Sequence, residues 1–298
     1  MYVLVAPCVM DPSLRAAGIT RDTDERAFAR ALERCRKFGL EVVPLPCPET
    51  IFLGRDRQPG TFRKRLDTPE FASLMDRLEE EVRAVFREKG TPPACIIGVN
   101  SSPTCGVDRT YYGNDASGGP VRRPGRGVFL DRFTGVPAID VLTFARYSVY
   151  LAGPLFSAAE RQFNRSLAEL LGSRFFEVYL PQEKDEEGRA RDGAFQERMF
   201  RSHCRALDQA DVVVAVIEGA DADSGTSWEM GYAAARGKPV LALRTDFRMV
   251  GPHEHVNLML EKSSTLVRGP RELLVALHAP ALPGDPGVAE ELVQGERG

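Results

Sequence analysis

Residues 211–217 read Asp-Val-Val-Val-Ala-Val-Ile, an apolar, β-branched run with no polar alternation. A strand with one wet face alternates, whereas an unbroken run of this length is buried on both faces, as in a parallel sheet covered by helices. The run feeds a loop rich in Gly and Asp, and residues 227–236 then carry small and aromatic side chains in a pattern that predicts a helix. Loops at the carboxyl ends of parallel strands are where open α/β sheets bind ligands, because helix N-termini and free backbone N–H groups converge there. Asp223 lies in that loop. Glu229 follows on the expected first helical turn, where a carboxylate is favoured as the anion. Two acids in one crevice suit a nucleophile, Glu229, and a proton shuttle, Asp223. The same two residues are also what a turn-capping aspartate and a solvated first-turn acid look like.

At 298 residues the chain is long enough for two domains. A formal charge of −3, with acids and bases interspersed, gives no electrostatic case for nucleic acid. No apolar run reaches membrane-spanning length, and MYVLVAPCVM has no basic leader before its apolar residues. A cytoplasmic protein without a membrane partner is therefore expected. Six irregularly spaced cysteines do not resemble a disulfide scaffold, so free thiols or metal ligands are expected.

In the first half, strands are predicted over 2–6, 40–45 and 94–99, with helices over 22–38 and 69–88. Each strand delivers one cysteine just past its end: Cys8, Cys47 and Cys105. Three converging thiolates suit a soft metal or an iron–sulfur cluster with one iron free of protein thiolate; zinc and a reduced, unliganded set remain open. Cys35, Cys95 and Cys204 read as core. Residues 50–67 read as a basic loop. Residues 113–127, rich in Gly, Arg and Pro, read as an exposed loop or basic lid, its arginines meeting either an anionic substrate or solvent. The first domain ends near Ala145.

The runs APCV, LPCPE and NSSPTCGV resemble the 2-thiouracil desulfurase family over about the first 145 residues. That resemblance implies a 4Fe-4S cluster on Cys8, Cys47 and Cys105, whose open iron takes sulfur from a thiolated base. Glu49 and Ser101 or Ser102 are the polar residues placed by sequence to handle protons beside it. The family's usual second cysteine and Arg-Tyr-Asp-Gly run are missing from CVMDPSLRAAGIT.

In the second half, strands over 148–152, 176–180, 211–217, 239–243 and 264–267 alternate with helices over 158–171, 194–208, 227–236 and 271–278. This predicts a domain over 146–280 with a doubly wound, parallel, five-stranded sheet of flavodoxin type. Gly153 ends the first of these strands, where a missing side chain lets a ligand approach the backbone. Residues 281–298 read as a frayed tail.

YLAGPLFS, QADVVVAV, DSGTSWEMGYAAARGKPV, RTDFR and VNLML together are similar to the nucleoside 2-deoxyribosyltransferase family. The resemblance implies Glu229 as nucleophile, Asp223 as acid, Tyr150 orienting the nucleophile, and Asn257 reaching across a subunit contact of a homo-oligomer, with no cofactor in this half. His203 stands where family members carry Asp or Asn to hold the sugar or the nucleophile. Arg244 and Arg248 in RTDFR either hold a 5′-phosphate or brace the loop through Asp246.

The implied partners are a small-molecule nucleoside and nucleobase. An N-glycosidic bond breaks through an oxocarbenium-like sugar, which a carboxylate on the opposite face traps as a glycosyl-enzyme. Asp223 neutralises the departing base nitrogen. An incoming base gives exchange, while water gives a nucleoside or nucleotide hydrolase; a non-catalytic sensor of nucleotide derivatives is the third reading. Fusion to a desulfurase-like half suggests salvage of thiolated nucleobases.

Overall fold

The computed structural model describes residues 1–184, 192–251 and 254–280, so the tail expected over 281–298 lies outside the described residues. Two compact units divide the chain, Met1–Ala145 and Arg146–Ala279.

The first unit is built on β1 (Tyr2–Val5), every residue of which is buried. It pairs in parallel with β2 (Glu41–Pro44) and β3 (Ile96–Gly98), and β3 pairs in parallel with β6 (Ala138–Asp140), giving the order β2-β1-β3-β6. The crossover helices follow from spacing and caps. α1 (Asp22–Lys37) buries Phe28, Ala31 and Cys35 at helical intervals. α4 (Pro69–Lys89) starts with the Thr68 side chain accepting the N–H of Phe71 and proline at its first position, and stops at Gly90 with φ 64°.

Two stretches expected as loops are ordered elements. Residues 50–67 contain α3 (Phe62–Arg65) and the end of α2 (Pro48–Leu53), a short helix capped by Cys47. The expected lid at 113–127 is mostly a hairpin of β4 (Arg109–Asn114) and β5 (Pro120–Pro124). Its prolines masked the strand signal, but Pro120 and Pro124 sit at the ends of β5. Cross-strand chemistry holds the ladder. Tyr111 faces Arg122, whose guanidinium lies 4.7 Å from the ring centre and donates to the Tyr111 hydroxyl at 2.7 Å. A short helix, α5 (Val141–Phe144), closes the unit.

In the second unit β7 (Ser148–Ala152) leads through α6 (Ala158–Ser173) to β8 (Glu177–Tyr179). α7 (Gly193–Gln209), β9 (Val212–Val216), α8 (Ser224–Ala235) and β10 (Val240–Leu243) follow. α9 (Leu258–Lys262), β11 (Thr265–Val267) and α10 (Pro270–Ala276) complete it. The sheet order is β11-β10-β9-β7-β8, all parallel. Counted within the unit this is 2-1-3-4-5, the flavodoxin-like order, whose topological switch point lies between β7 and β9. β9 is buried at all five positions, as its unbroken apolar run requires. One sheet face packs Tyr150, Val213, Ala215 and Ala242 against Leu207 of α7 and Met230 and Ala233 of α8. Asp211 fixes the start of this pairing by accepting the backbone N–H groups of Tyr147 and Ser148 at 3.1 and 2.9 Å.

Candidate active site

The switch point places Tyr150, on β7, beside the βα connection that leaves β9. α8 begins earlier than residue 227, because Asp223 is its N-cap: the carboxylate oxygen Oδ2 accepts the N–H of Thr226 at 2.9 Å and its hydroxyl at 3.2 Å. Glu229 therefore sits on the second turn of the helix and not the first. From there its side chain reaches the sheet face, where the Tyr150 hydroxyl donates a hydrogen bond to Glu229 Oε1.

Burial lifts the Glu229 carboxyl to about 7; the hydrogen bond from Tyr150 opposes that rise and the charge of Asp223 adds to it. Asp223 is thus close enough to be felt electrostatically. Tyr150 is fully buried, and burial together with the adjacent Glu229 pushes its hydroxyl further up, so it remains a proton-bearing donor.

Tyr179, absent from the sequence reading, completes the arrangement. It faces Tyr150 across the β7–β8 ladder with the rings stacked 5.2 Å apart at 15°. Its hydroxyl meets His203 Nδ1 of α7 at 3.1 Å, and burial pulls the His203 imidazole below its usual range. His203 accordingly reaches Glu229 through two stacked rings. A tyrosine on a strand that alternates toward the core face was the available signal.

The other named residues are placed as follows. The space a Cβ would fill at Gly153 is taken by Asn164 Oδ1 at 3.0 Å and Val216 Cβ at 3.2 Å, so the missing side chain admits protein and not a ligand. Asn164, another residue the sequence reading missed, is buried on α6 and donates to the Pro154 carbonyl at 2.8 Å. Arg244 is 1% exposed and donates to the carbonyls of Ile217 and Gly219, both at 2.8 Å, and of Arg248 at 3.1 Å. It braces the loop after β9 and has no surface for a phosphate. Arg248 pairs with Asp246, the bracing partner foreseen for it. Asn257 is exposed and caps α9, its Oδ1 accepting the N–H of Met259 at 3.0 Å.

In the first unit, Cys8, Cys47 and Cys105 line one cavity of about 770 Å³ with Glu49, Ser101 and Ser102. Of the two serines it is Ser102 that meets Glu49, at 3.0 Å, with Thr104 on the same oxygen at 2.9 Å and Arg57 Nε on the other at 3.4 Å. Ser101 is held through its backbone, at φ 72°, a conformation rarely adopted by a side-chain-bearing residue. Cys47 Sγ accepts from the Thr50 hydroxyl at 3.1 Å and the Thr50 N–H at 3.4 Å. Burial pushes the Cys8 thiol up to about 12 and that of Cys105 well above its usual range, and the neighbouring thiols add to both. Among the described residues no group of three or more His, Cys, Asp or Glu side chains is disposed to hold a metal ion. The thiols thus converge on one cavity without forming a single-ion site. Cys204, expected in the core, is half-buried on α7.

Residues 149–267 match the family model described as nucleoside 2-deoxyribosyltransferase, which leaves the first unit outside the match. An uncharacterised protein of Methanocaldococcus jannaschii, MJ0003, is 34% identical over 85 residues, 28% of this chain; the chain spans 54% of that relative's length. An uncharacterised protein of Ureaplasma parvum, UU063, is 32% identical over 131 residues, covering 39% of this chain and 80% of that protein. Among solved structures, a 2-deoxyribosyltransferase from Bacillus psychrosaccharolyticus is 21% identical with a TM-score of 0.38, over 46% of this chain and 99% of its own. Among the described residues no helix is long and apolar enough to cross a membrane.

Proposed function

The chain belongs to the same family as the Ureaplasma protein and carries a nucleoside 2-deoxyribosyltransferase-type domain, and from that premise we propose that its second unit cleaves or exchanges the N-glycosidic bond of nucleosides or deoxynucleosides. The observation that carries this reading is the Tyr150–Glu229 hydrogen bond at the switch point.

Glu229 attacks the anomeric carbon of the sugar as the bond to the base breaks, forming a glycosyl ester. Tyr150 fixes the carboxylate rotamer and donates to one oxygen, leaving the other for attack. The raised carboxyl pKa also suits this role, because a carboxylate held in poor solvent is a stronger nucleophile than a fully hydrated one. Asp223 keeps Oδ2 on its own helix terminus and offers Oδ1 to the departing base. A second base, entering where the first left, reverses the steps and gives exchange.

Water entering instead would give hydrolysis. The two outcomes are separated by incubating the protein with a deoxynucleoside and a second nucleobase. Exchange yields a new deoxynucleoside and no free sugar; a hydrolase yields free sugar regardless of added base. Loss of both in Glu229→Ala, with the fold intact, supports the site; retention of either removes it.

For the first unit, the three thiols at the sheet edge favour a second reading. Cys8, Cys47 and Cys105 would hold a polynuclear iron–sulfur group, whose thiolates need not converge on a single ion. Such a group, when bound, supplies a soft iron for a sulfur-bearing ligand. The chain's own contribution is the Glu49–Ser102 pair, which holds a proton beside the thiols. Iron and acid-labile sulfide in anaerobically purified protein, lost in Cys105→Ala, test this; their absence ends it.

A further inference from the structure

The loop that leaves β7, residues 153–157, is held by side chains of the helix it enters. Asn164 Nδ2 donates to the Pro154 carbonyl at 2.8 Å, and Arg161 Nη1 donates to the carbonyls of Leu155 and Phe156, both at 3.0 Å. Glu160 Oε2 accepts the N–H groups of Phe156 at 3.0 Å and Ser157 at 2.7 Å. All three side chains come from the start of α6. An exposed loop ordinarily leaves such groups to water and moves accordingly. Here a helix supplies the partners.

The clamp extends to the neighbouring strand. Gln182, in the turn after β8, donates through Nε2 to the Arg161 carbonyl at 2.9 Å, and its Oε1 accepts from Asn164 Nδ2 at 3.4 Å. Asn164 is 2% exposed and lies flush on the loop, since a Cβ added at Gly153 would meet its Oδ1 at 3.0 Å. What the clamp holds is apolar: Leu155 is 37% and Phe156 75% exposed. The loop begins three residues beyond Tyr150, at the carboxyl end of β7. It therefore flanks the switch point from one side, while the connection carrying Asp223 and Glu229 flanks it from the other.

With Glu229 as the nucleophile, this crevice holds a glycosyl ester that has two fates. In each, the bond from the anomeric carbon to Glu229 breaks and the carboxylate is restored. A nucleobase contributes a nitrogen and yields a nucleoside, water contributes an oxygen and yields free sugar, and either passes one proton to Asp223. An apolar wall that stays in place keeps water from the ester, and one that swings away admits it.

We propose that Arg161 and Asn164 are positioning residues that hold the β7 loop beside the crevice and so direct the glycosyl ester to a nucleobase in preference to water. The inference rests on the proposed base exchange. The test measures new deoxynucleoside against free deoxyribose, formed by the full-length protein from a deoxynucleoside and a second nucleobase at fixed concentrations. The ratio does not depend on how much of a variant is active, so a general loss of structure does not move it. Arg161→Ala should raise the free-sugar share, small in the wild type, at least about 10-fold. Arg161→Lys, which keeps a donor for one carbonyl at a time, should fall between the two. Asn164→Leu, close in volume but without a donor, should raise the share at least about 3-fold. Arg165→Ala removes the same charge from an exposed position on the same helix and should leave the ratio unchanged. Arg161 is exposed, so its truncation leaves the fold in place should Asn164→Leu not fold. Amide hydrogen exchange over 153–157 should also quicken at least about 10-fold in Arg161→Ala. A wild-type ratio in both Arg161→Ala and Asn164→Leu overturns the proposal and leaves base exchange standing. A wild-type protein that forms free sugar alone, or neither product, removes base exchange and this proposal together.

Discussion

Tyr150 and Glu229, 79 residues apart in the chain, are joined by a hydrogen bond from the tyrosine hydroxyl to a half-buried carboxylate. The strand supplying one and the helix supplying the other meet at the switch point of the sheet. Tyr150→Phe keeps the ring and its stacking on Tyr179 but removes the donor. Bonds to a charged group are worth about 1.5–3 kcal/mol, so the rate of base exchange should fall about 10- to 100-fold while the melting temperature changes little. Steady-state kinetics beside thermal denaturation checks both.

Base exchange should depend on pH through Glu229. The nucleophile must be ionised, and its pKa is raised by burial to about 7, so activity should rise across that pH to a plateau above it. In Tyr150→Phe the rise should move to higher pH, because the opposing hydrogen bond is gone. A pH–rate profile of both proteins measures the displacement.

The same group couples stability to pH. Its folded pKa lies above the unfolded value of 4.5, so the stabilisation from its protonated form is complete below 4.5 and lost as pH rises through about 7. Glu229→Gln should therefore gain on the wild type between pH 4 and pH 8, by at most about 3 kcal/mol. Urea unfolding at the two pH values gives the difference.

Asp223 has two duties that substitutions separate. Asn caps a helix about as well as Asp, whereas Ala costs about 1 kcal/mol at an N-cap. Asp223→Asn should unfold near the wild-type midpoint and Asp223→Ala below it, yet both should lose about 100-fold or more in exchange. Equal activity of Asn and wild type would leave Asp223 with the cap alone.

The two rings behind Glu229 make Tyr179 a positioning residue. Tyr179→Phe keeps the stack on Tyr150 and drops the His203 contact, and should cost less than about 3-fold in exchange. Tyr179→Leu loses the stack, worth about 0.5–1.5 kcal/mol, and should cost up to about 10-fold in kcat with little change in KM.

Much of this was legible in the chain because burial leaves a pattern. The unbroken 211–217 run announced a central parallel strand, and β9 is that strand. Three strand ends each carried a cysteine, and all three thiols line one cavity. What stayed hidden depends on contacts distant in sequence. Tyr179 gains its meaning only from the register that sets it opposite Tyr150. Arg244 read equally as a phosphate ligand or a loop brace, because its three carbonyl partners carry no side-chain signal. Gly153 suggested an opening for a ligand, but Asn164 arrives from α6 to fill it. The start of α8 was misplaced because a capping Asp and a loop Asp are identical as letters; only the Thr226 N–H distinguishes them.

The most direct measurement is intact-protein and peptide mass spectrometry after a brief incubation with a deoxynucleoside and acid quench. An adduct with the mass of the deoxyribosyl group, on the peptide containing Glu229 and absent from Glu229→Gln, is the expected result. Base exchange proceeding in Glu229→Gln, or an adduct on a different residue, would contradict it.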